Sequence, residues 1–190
     1  MLRAAAPARI GIAGAGGLGS NVAMHLVRAG LRDLRVVDFD RVQAPNLNRQ
    51  FYFADQVGRL KVAALRDNLQ RIDPGFRGEM LAARVTGANV RRLFAACAVV
   101  VEAFDGAANK AMLVEALLPT GVLVVAGSGL GGVGGTNDIV ARRVRPNFIL
   151  VGDGWRDVRD YPPLSPRVGV CAAAMADAVL ARMRAGAGGI

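Results

Sequence analysis

Lysine is almost missing from this chain. Of its 24 Lys plus Arg residues only Lys61 and Lys110 are lysines. Cysteine is nearly as scarce: Cys97 and Cys171 stand far apart with no C-x-x-C spacing. Two thiols exclude both a disulfide framework and a four-ligand zinc site, so no zinc is expected. They fit a reducing, cytoplasmic setting and read as small core residues. The single histidine, His25, falls inside a helical stretch and reads as packing or surface. Aromatics make up 5% of the residues, and the arginines behind a net charge of +9 are dispersed rather than massed. Without stacking aromatics or a basic tract, nucleic acid is an unlikely partner, and an acidic protein partner accounts for the charge as well. No run of about eighteen apolar residues is present, so no membrane-spanning helix is expected. The N-terminal stretch, interrupted by Arg9, does not read as a signal peptide.

Glycine, by contrast, is concentrated where it carries chemistry. Ala8–Ala13 reads as an apolar strand, followed at once by Gly14, Gly16, Gly17 and Gly19. Ser20–Ala29 then has helical periodicity and stops at Gly30. Strand, glycine turn and helix form the context of a nucleotide-binding fingerprint: the backbone approaches phosphate closely, and the helix N-terminus offers free N–H groups. A second strand, Leu34–Val37, ends in Asp38, at the spacing that sets a carboxylate beside a ribose. Asp40 follows in the same D-F-D run. Up to this point a NAD(P)-binding oxidoreductase fits equally well.

The next residues favour a triphosphate. Asn46-Leu-Asn-Arg49-Gln50 follows the acids, and Lys61 opens another helical stretch, Leu60–Ile72. Cations at Arg49 and Lys61 neutralise phosphate charge while pyrophosphate leaves an attacked α-phosphorus. Asn46 and Gln50 are placed to bond phosphate oxygens or to fix Arg49. A compact ammonium retained in an arginine-rich chain suits phosphate, although two chance surface lysines are the plain alternative. Asp105 follows the buried-type strand Ala98–Phe104 and can face the same crevice as Asp38. It is a candidate Mg²⁺ ligand; the competing role is N-cap of the helix Gly106–Leu118. The run Gly127–Gly135 is either a close path for an extended tail or a flexible loop.

These motifs together resemble the ThiF/MoeB/HesA adenylyltransferases, relatives of ubiquitin-activating enzymes. The resemblance rests on G-A-G-G-L-G-S-N, V-V-D-F-D-R-V, N-L-N-R-Q, G-R-L-K, R-I-D-P, Asp105 and the late P-L-S-P-R-V-G-V segment, and covers nearly the whole chain. In detail it is most similar to the short ThiF type, the sulfur-carrier adenylyltransferases of thiamine biosynthesis. The resemblance implies ATP and Mg²⁺ as cofactors and a small ubiquitin-like sulfur carrier ending in Gly-Gly as partner. It also implies a homodimer and, as a further partner, a cysteine desulfurase. Asp38 would bind ribose, Arg49 and Lys61 phosphates, and Asp105 the metal, with Asn46 and Gln50 shaping the phosphate site. Three departures stand out. The zinc-binding C-x-x-C pairs are lacking; Gly152–Ser165, matching the crossover loop, has no cysteine; and neither Arg3 nor Arg9 matches the arginine that relatives lend across the dimer. A catalytically weak carrier-binding protein is the third reading.

The expected architecture is a single α/β domain over 1–190 with a Rossmann-like, doubly wound, mostly parallel sheet. Strands are expected near 9–13, 34–38, 77–82, 98–104, 121–126, 138–144 and 148–151. The last two are expected to form an antiparallel β extension before a closing helix.

Overall fold

The computed structural model describes residues 8–185. Arg3 lies outside them. Seven strands form one sheet: β1 Arg9–Ala13, β2 Leu34–Val37, β3 Glu79–Leu81, β4 Cys97–Glu102, β5 Leu123–Gly127, β6 Val140–Arg145 and β7 Phe148–Gly152. Their order is β3-β2-β1-β4-β5-β7-β6. All neighbours are parallel except β6 and β7. The expected antiparallel extension is therefore only β6; β7 runs parallel to β5 within the main sheet.

The strand sequences dictate two cores. Ile10 and Ile12 of β1, Val99 and Val101 of β4, and Leu123 and Val125 of β5 all face one side. There they meet α1 (Gly17–Arg28), α2 (Lys61–Ile72) and α5 (Ser165–Ala185). The intervening Ala13, Val100 and Val124 face the other side, against α3 (Val90–Phe94) and α4 (Ala107–Leu117). This is the period-two alternation of a sheet buried on both faces. The burial of α5 recurs at Val168, Cys171, Ala172, Met175, Ala176 and Val179, a helical stripe seated on that first core.

Local signals set the ends of α1. Leu31 N–H donates to the Leu26 carbonyl at 3.0 Å and Gly30 N–H to that of Val27 at 2.9 Å. Gly30 has φ +95°. That is a Schellman stop, which the sequence signalled by placing glycine there. At the other end the helix begins three residues before Ser20, so that Gly17 and Gly19 form its first turn. The strand order also fixes where a ligand sits. β1 and β4 are neighbours whose following connections leave in opposite directions, and the crevice between their carboxyl ends is the switch point of such a sheet.

Candidate nucleotide-binding site

The glycine turn is built by close approach. Gly14 has φ +99°, and a Cβ there would lie 2.7 Å from the Ala103 carbonyl oxygen. A Cβ on Gly19 would collide with the Gly14 carbonyl. Gly16 differs: its nearest neighbour would be Gln50 Nε2 at 3.8 Å, leaving open space on that face. Gly16 is also the N-cap of α1 and makes no side-chain cap bond. The first N–H groups of α1 lack intrahelical partners, so this opening is a ready anion seat.

The segment after the acids is clamped onto this turn. Ser20 Oγ donates to the Gly16 carbonyl at 2.7 Å and accepts from Phe51 N–H at 3.0 Å. Asn21 Nδ2 donates to the Gly17 carbonyl at 2.7 Å and the Arg49 carbonyl at 2.9 Å. Tyr52 Oη donates to the Ala15 carbonyl at 2.7 Å, and burial pushes its phenol pKa up. Ser20, Asn21 and Tyr52 thus carry Arg49 and Gln50 to the turn. Gln50 is buried, and its side-chain oxygen has no partner among the described residues. Asn46 lies outside both cavities described below; its side-chain oxygen accepts from Gln43 N–H at 3.1 Å and so caps the 3₁₀ turn Ala44–Asn46.

Two cavities open from the switch point. The smaller, about 170 Å³, is bordered by Gly14, Gly16, Asp38, Asp40 and Lys61. Asp38 accepts from Ala15 N–H and Asp40 N–H, both at 2.7 Å, which fixes its carboxylate and leaves further lone pairs for hydroxyl donors. Burial raises its pKa, partly opposed by those two bonds. Lys61 Nζ donates to Asp40 Oδ2 at 3.0 Å; the lysine side chain is 7% exposed and the aspartate 49%. At the border of the same cavity the Arg84 guanidinium lies 4.0 Å from the centre of the Phe39 ring.

The larger cavity, about 830 Å³, lies between β4, β5, α4 and the loop before α5. Arg49, Lys110, Arg156 and Arg159 border it, over an apolar floor that includes Phe104, Phe148 and Val168. Arg49 here donates to the Pro45 carbonyl at 3.2 Å and to Asn48 Oδ1 at 2.8 Å. Arg49 and Lys61 are therefore not in one cavity. Between them stands Asp105, which borders both. It is exposed and has no hydrogen-bond or ion-pair partner among the described residues. The N-cap of α4 is Gly106, without a side-chain cap bond, so the capping role expected as the alternative for Asp105 is not realised.

Two charged pairs beside the large cavity were not foreseen. Glu102, fully buried at the end of β4, pairs with Lys110 at 2.9 Å. Burial raises the Glu102 pKa against the lowering effect of Lys110. A lone acid inside V-V-V-E-A-F was the available signal. Buried Arg167 of α5 donates to the Gly134 and Gly135 carbonyls at 2.6 and 2.8 Å and pairs with Asp153. The end of the Gly127–Gly135 run is therefore anchored rather than loose. Neither thiol is poised as a nucleophile: burial pushes Cys97 up to about 11 and Cys171 up to about 12. Arg9 is engaged away from the site, with Asp33 at 2.9 Å and Glu79 at 3.0 Å.

Comparison with known proteins places the chain in a family. The ThiF family profile matches residues 2–183. The chain belongs to the ThiF family. A sulfur carrier protein adenylyltransferase of Thermus thermophilus is 34% identical over 122 residues, covering 64% of this chain and 45% of that protein. An adenylyltransferase and sulfurtransferase UBA4 of Eremothecium gossypii is 33% identical over 125 residues, covering 65% of this chain and 28% of its own. The match thus spans less than half of these longer relatives. In fold, this ThiF-family chain resembles E. coli tRNA N6-threonylcarbamoyladenosine dehydratase in complex with AMP, with TM-score 0.85 and 21% identity. That alignment covers 95% of this chain and 87% of the other. It also resembles guanylylpyridinol- and ATP-bound HcgE of Methanothermobacter marburgensis, with TM-score 0.75 and 21% identity, covering 93% and 95%.

Proposed function

We propose that this protein is an ATP-dependent adenylyltransferase that activates the C-terminal carboxylate of a small ubiquitin-like sulfur carrier ending in Gly-Gly. The carrying observation is Asp105, unpaired among the described residues and standing between a cavity with Asp38 and Lys61 and another with Arg49. The small cavity seats the nucleoside, with Asp38 accepting from the ribose and Arg84 and Phe39 flanking the base. The phosphates run over the open face of Gly16 toward the large cavity, where the acceptor enters. A carboxylate oxygen attacks the α-phosphorus, the bond from that phosphorus to the β-phosphate's bridging oxygen breaks, and pyrophosphate leaves. Lys61 and Arg49 balance the charge that develops on either side.

Asp105 fits a metal delivered with ATP: Mg²⁺ is commonly held by one or two carboxylates plus phosphate oxygens. When bound there, Mg²⁺ would neutralise phosphate charge. Among the described residues no group of three or more His, Cys, Asp or Glu forms a metal cage. The G-S-N, N-L-N-R-Q-F-Y and V-E-A-F-D detail supports a thiamine-type carrier, and the same resemblance supports a cytoplasmic homodimer that works with a cysteine desulfurase. The test is to incubate the protein with ATP, Mg²⁺ and a purified Gly-Gly carrier and weigh the intact carrier. An AMP adduct lost on removing the terminal glycine is expected; an unmodified carrier beside consumed ATP contradicts the proposal.

A further inference from the structure

Lys110 is the second of only two lysines in the chain. Its Nζ bridges two strand ends, donating to Glu102 Oε2 at 2.9 Å and to the Gly127 carbonyl at 3.3 Å. Glu102 and Ala126 are register partners on β4 and β5, so the ammonium sits across the carboxyl edge of the sheet. An ammonium has three N–H donors. Two are engaged, and 28% of the Lys110 side chain remains exposed, bordering the large cavity together with Asp105. Glu102 is wholly buried, and its other oxygen accepts from Phe104 N–H at 2.7 Å. A fixed carboxylate thus holds the ammonium at the cavity wall. The remaining donor is free for a ligand that enters the large cavity.

Resting on the adenylyltransferase reading, we propose that Lys110 is the specificity residue for the acceptor: its free N–H receives the terminal carboxyl group of the incoming tail. Glu102 and the Gly127 carbonyl aim that donor, and Arg49 and Arg156, which border the same cavity, offset the charge of an arriving carboxylate beside Asp105. The class of ligand recognised is a C-terminal carboxylate carried on a slender tail. An amide in its place would keep the shape and lose the attraction between two opposite charges.

The scarcity of lysine makes the test clean. Reductive methylation read by mass spectrometry has only two side-chain targets, and Lys61, 7% exposed, reports whether the fold has opened. The probes are a synthetic peptide ending in Gly-Gly with a free carboxylate and the same peptide amidated, each with ATP and Mg²⁺. The free acid is expected to slow methylation of Lys110, the amide far less, and ATP alone not at all, with Lys61 slow throughout. In parallel, Lys110→Met, made together with Glu102→Gln so that no buried carboxylate is left unpaired, is expected to raise the carrier KM by about tenfold to a hundredfold over Glu102→Gln alone, the worth of one charge-assisted bond, with ATP affinity held. Lys110→Arg should recover part of it. Protection of Lys110 by ATP alone, equal protection by acid and amide, or a carrier KM in the double variant unchanged from Glu102→Gln overturns the assignment. Failure of the adenylation reading is separate: the wild-type protein would then release no pyrophosphate with the carrier.

Discussion

Asp105, Lys61 and Gly16 each answer to a different constraint. Asp105 has no bond within the described residues, so Asp105→Ala is expected to leave the denaturation midpoint unchanged. Lys61→Ala removes a buried cation whose partner Asp40 is half in water, so the fold survives that change as well. Both variants are expected to lose about a hundredfold or more in kcat/KM for pyrophosphate formation, with circular dichroism unaltered. The two glycine substitutions separate folding from binding. Gly16→Ala meets nothing closer than 3.8 Å and should cost about 1 kcal/mol at most, yet its methyl faces the phosphate path and should weaken ATP binding at least about tenfold. Gly19→Ala drives a methyl into the Gly14 carbonyl and should lower stability outright. Calorimetric ATP titration beside urea melts of the pair reads the contrast.

Among the elements, the join between α5 and the glycine-rich run is the least obvious from sequence and the most consequential. Arg167 and Asp153 are both about 1% exposed, so Arg167→Met takes one guanidinium from a buried carboxylate that keeps Arg156 at 3.2 Å, and releases two loop carbonyls. It should cost about 1–3 kcal/mol in chemical denaturation. Burial alone would raise the Asp153 carboxyl, but hydrogen bonds from the Trp155 and Arg156 N–H groups and the adjacent guanidinium charges outweigh it and hold the pKa low. With the folded value depressed, this stabilisation is complete above the ordinary carboxylate pKa near 3.8 and is lost as pH falls through the lower folded value. Asp153→Asn should therefore flatten the acid limb of the stability profile measured by urea melts between about pH 2 and pH 5. The strands, α1 and α2 were legible because their apolar periods and turn residues are local signals, whereas α5 was expected from the resemblance of the late segment. The short α3 was not, since five residues carry too little pattern. The hairpin showed β6 and β7 as a pair, but the parallel seat of β7 beside β5 is a tertiary outcome that no local pattern encodes.

For the whole molecule, the sheet's switch point explains why residues spread from Gly14 to Asp105 meet. The places of the glycine turn, Asp38, Lys61 and Asp105 were readable because each follows a strand or opens a helix at a characteristic spacing, whereas Arg49 was singled out only by the N-L-N-R-Q run. Their division between two cavities was not readable, since it depends on how Ser20 and Asn21 pin the Arg49 segment across the helix N-terminus. Glu102 and Lys110 stayed hidden for the same reason: eight residues apart, they become a pair only when α4 folds back onto β4. Both thiols lie in the cores, with pKa values near 11 and 12. Native protein is therefore expected to resist iodoacetamide at pH 8 and to take up two equivalents once denatured; rapid labelling before denaturation contradicts this packing.

The most direct test of the central claim is carrier-dependent pyrophosphate release. Purified protein, ATP, Mg²⁺ and a small ubiquitin-like carrier ending in Gly-Gly should release pyrophosphate in proportion to carrier, and NADH should not compete. With folded components, release that is absent, or that proceeds equally without the carrier, contradicts it.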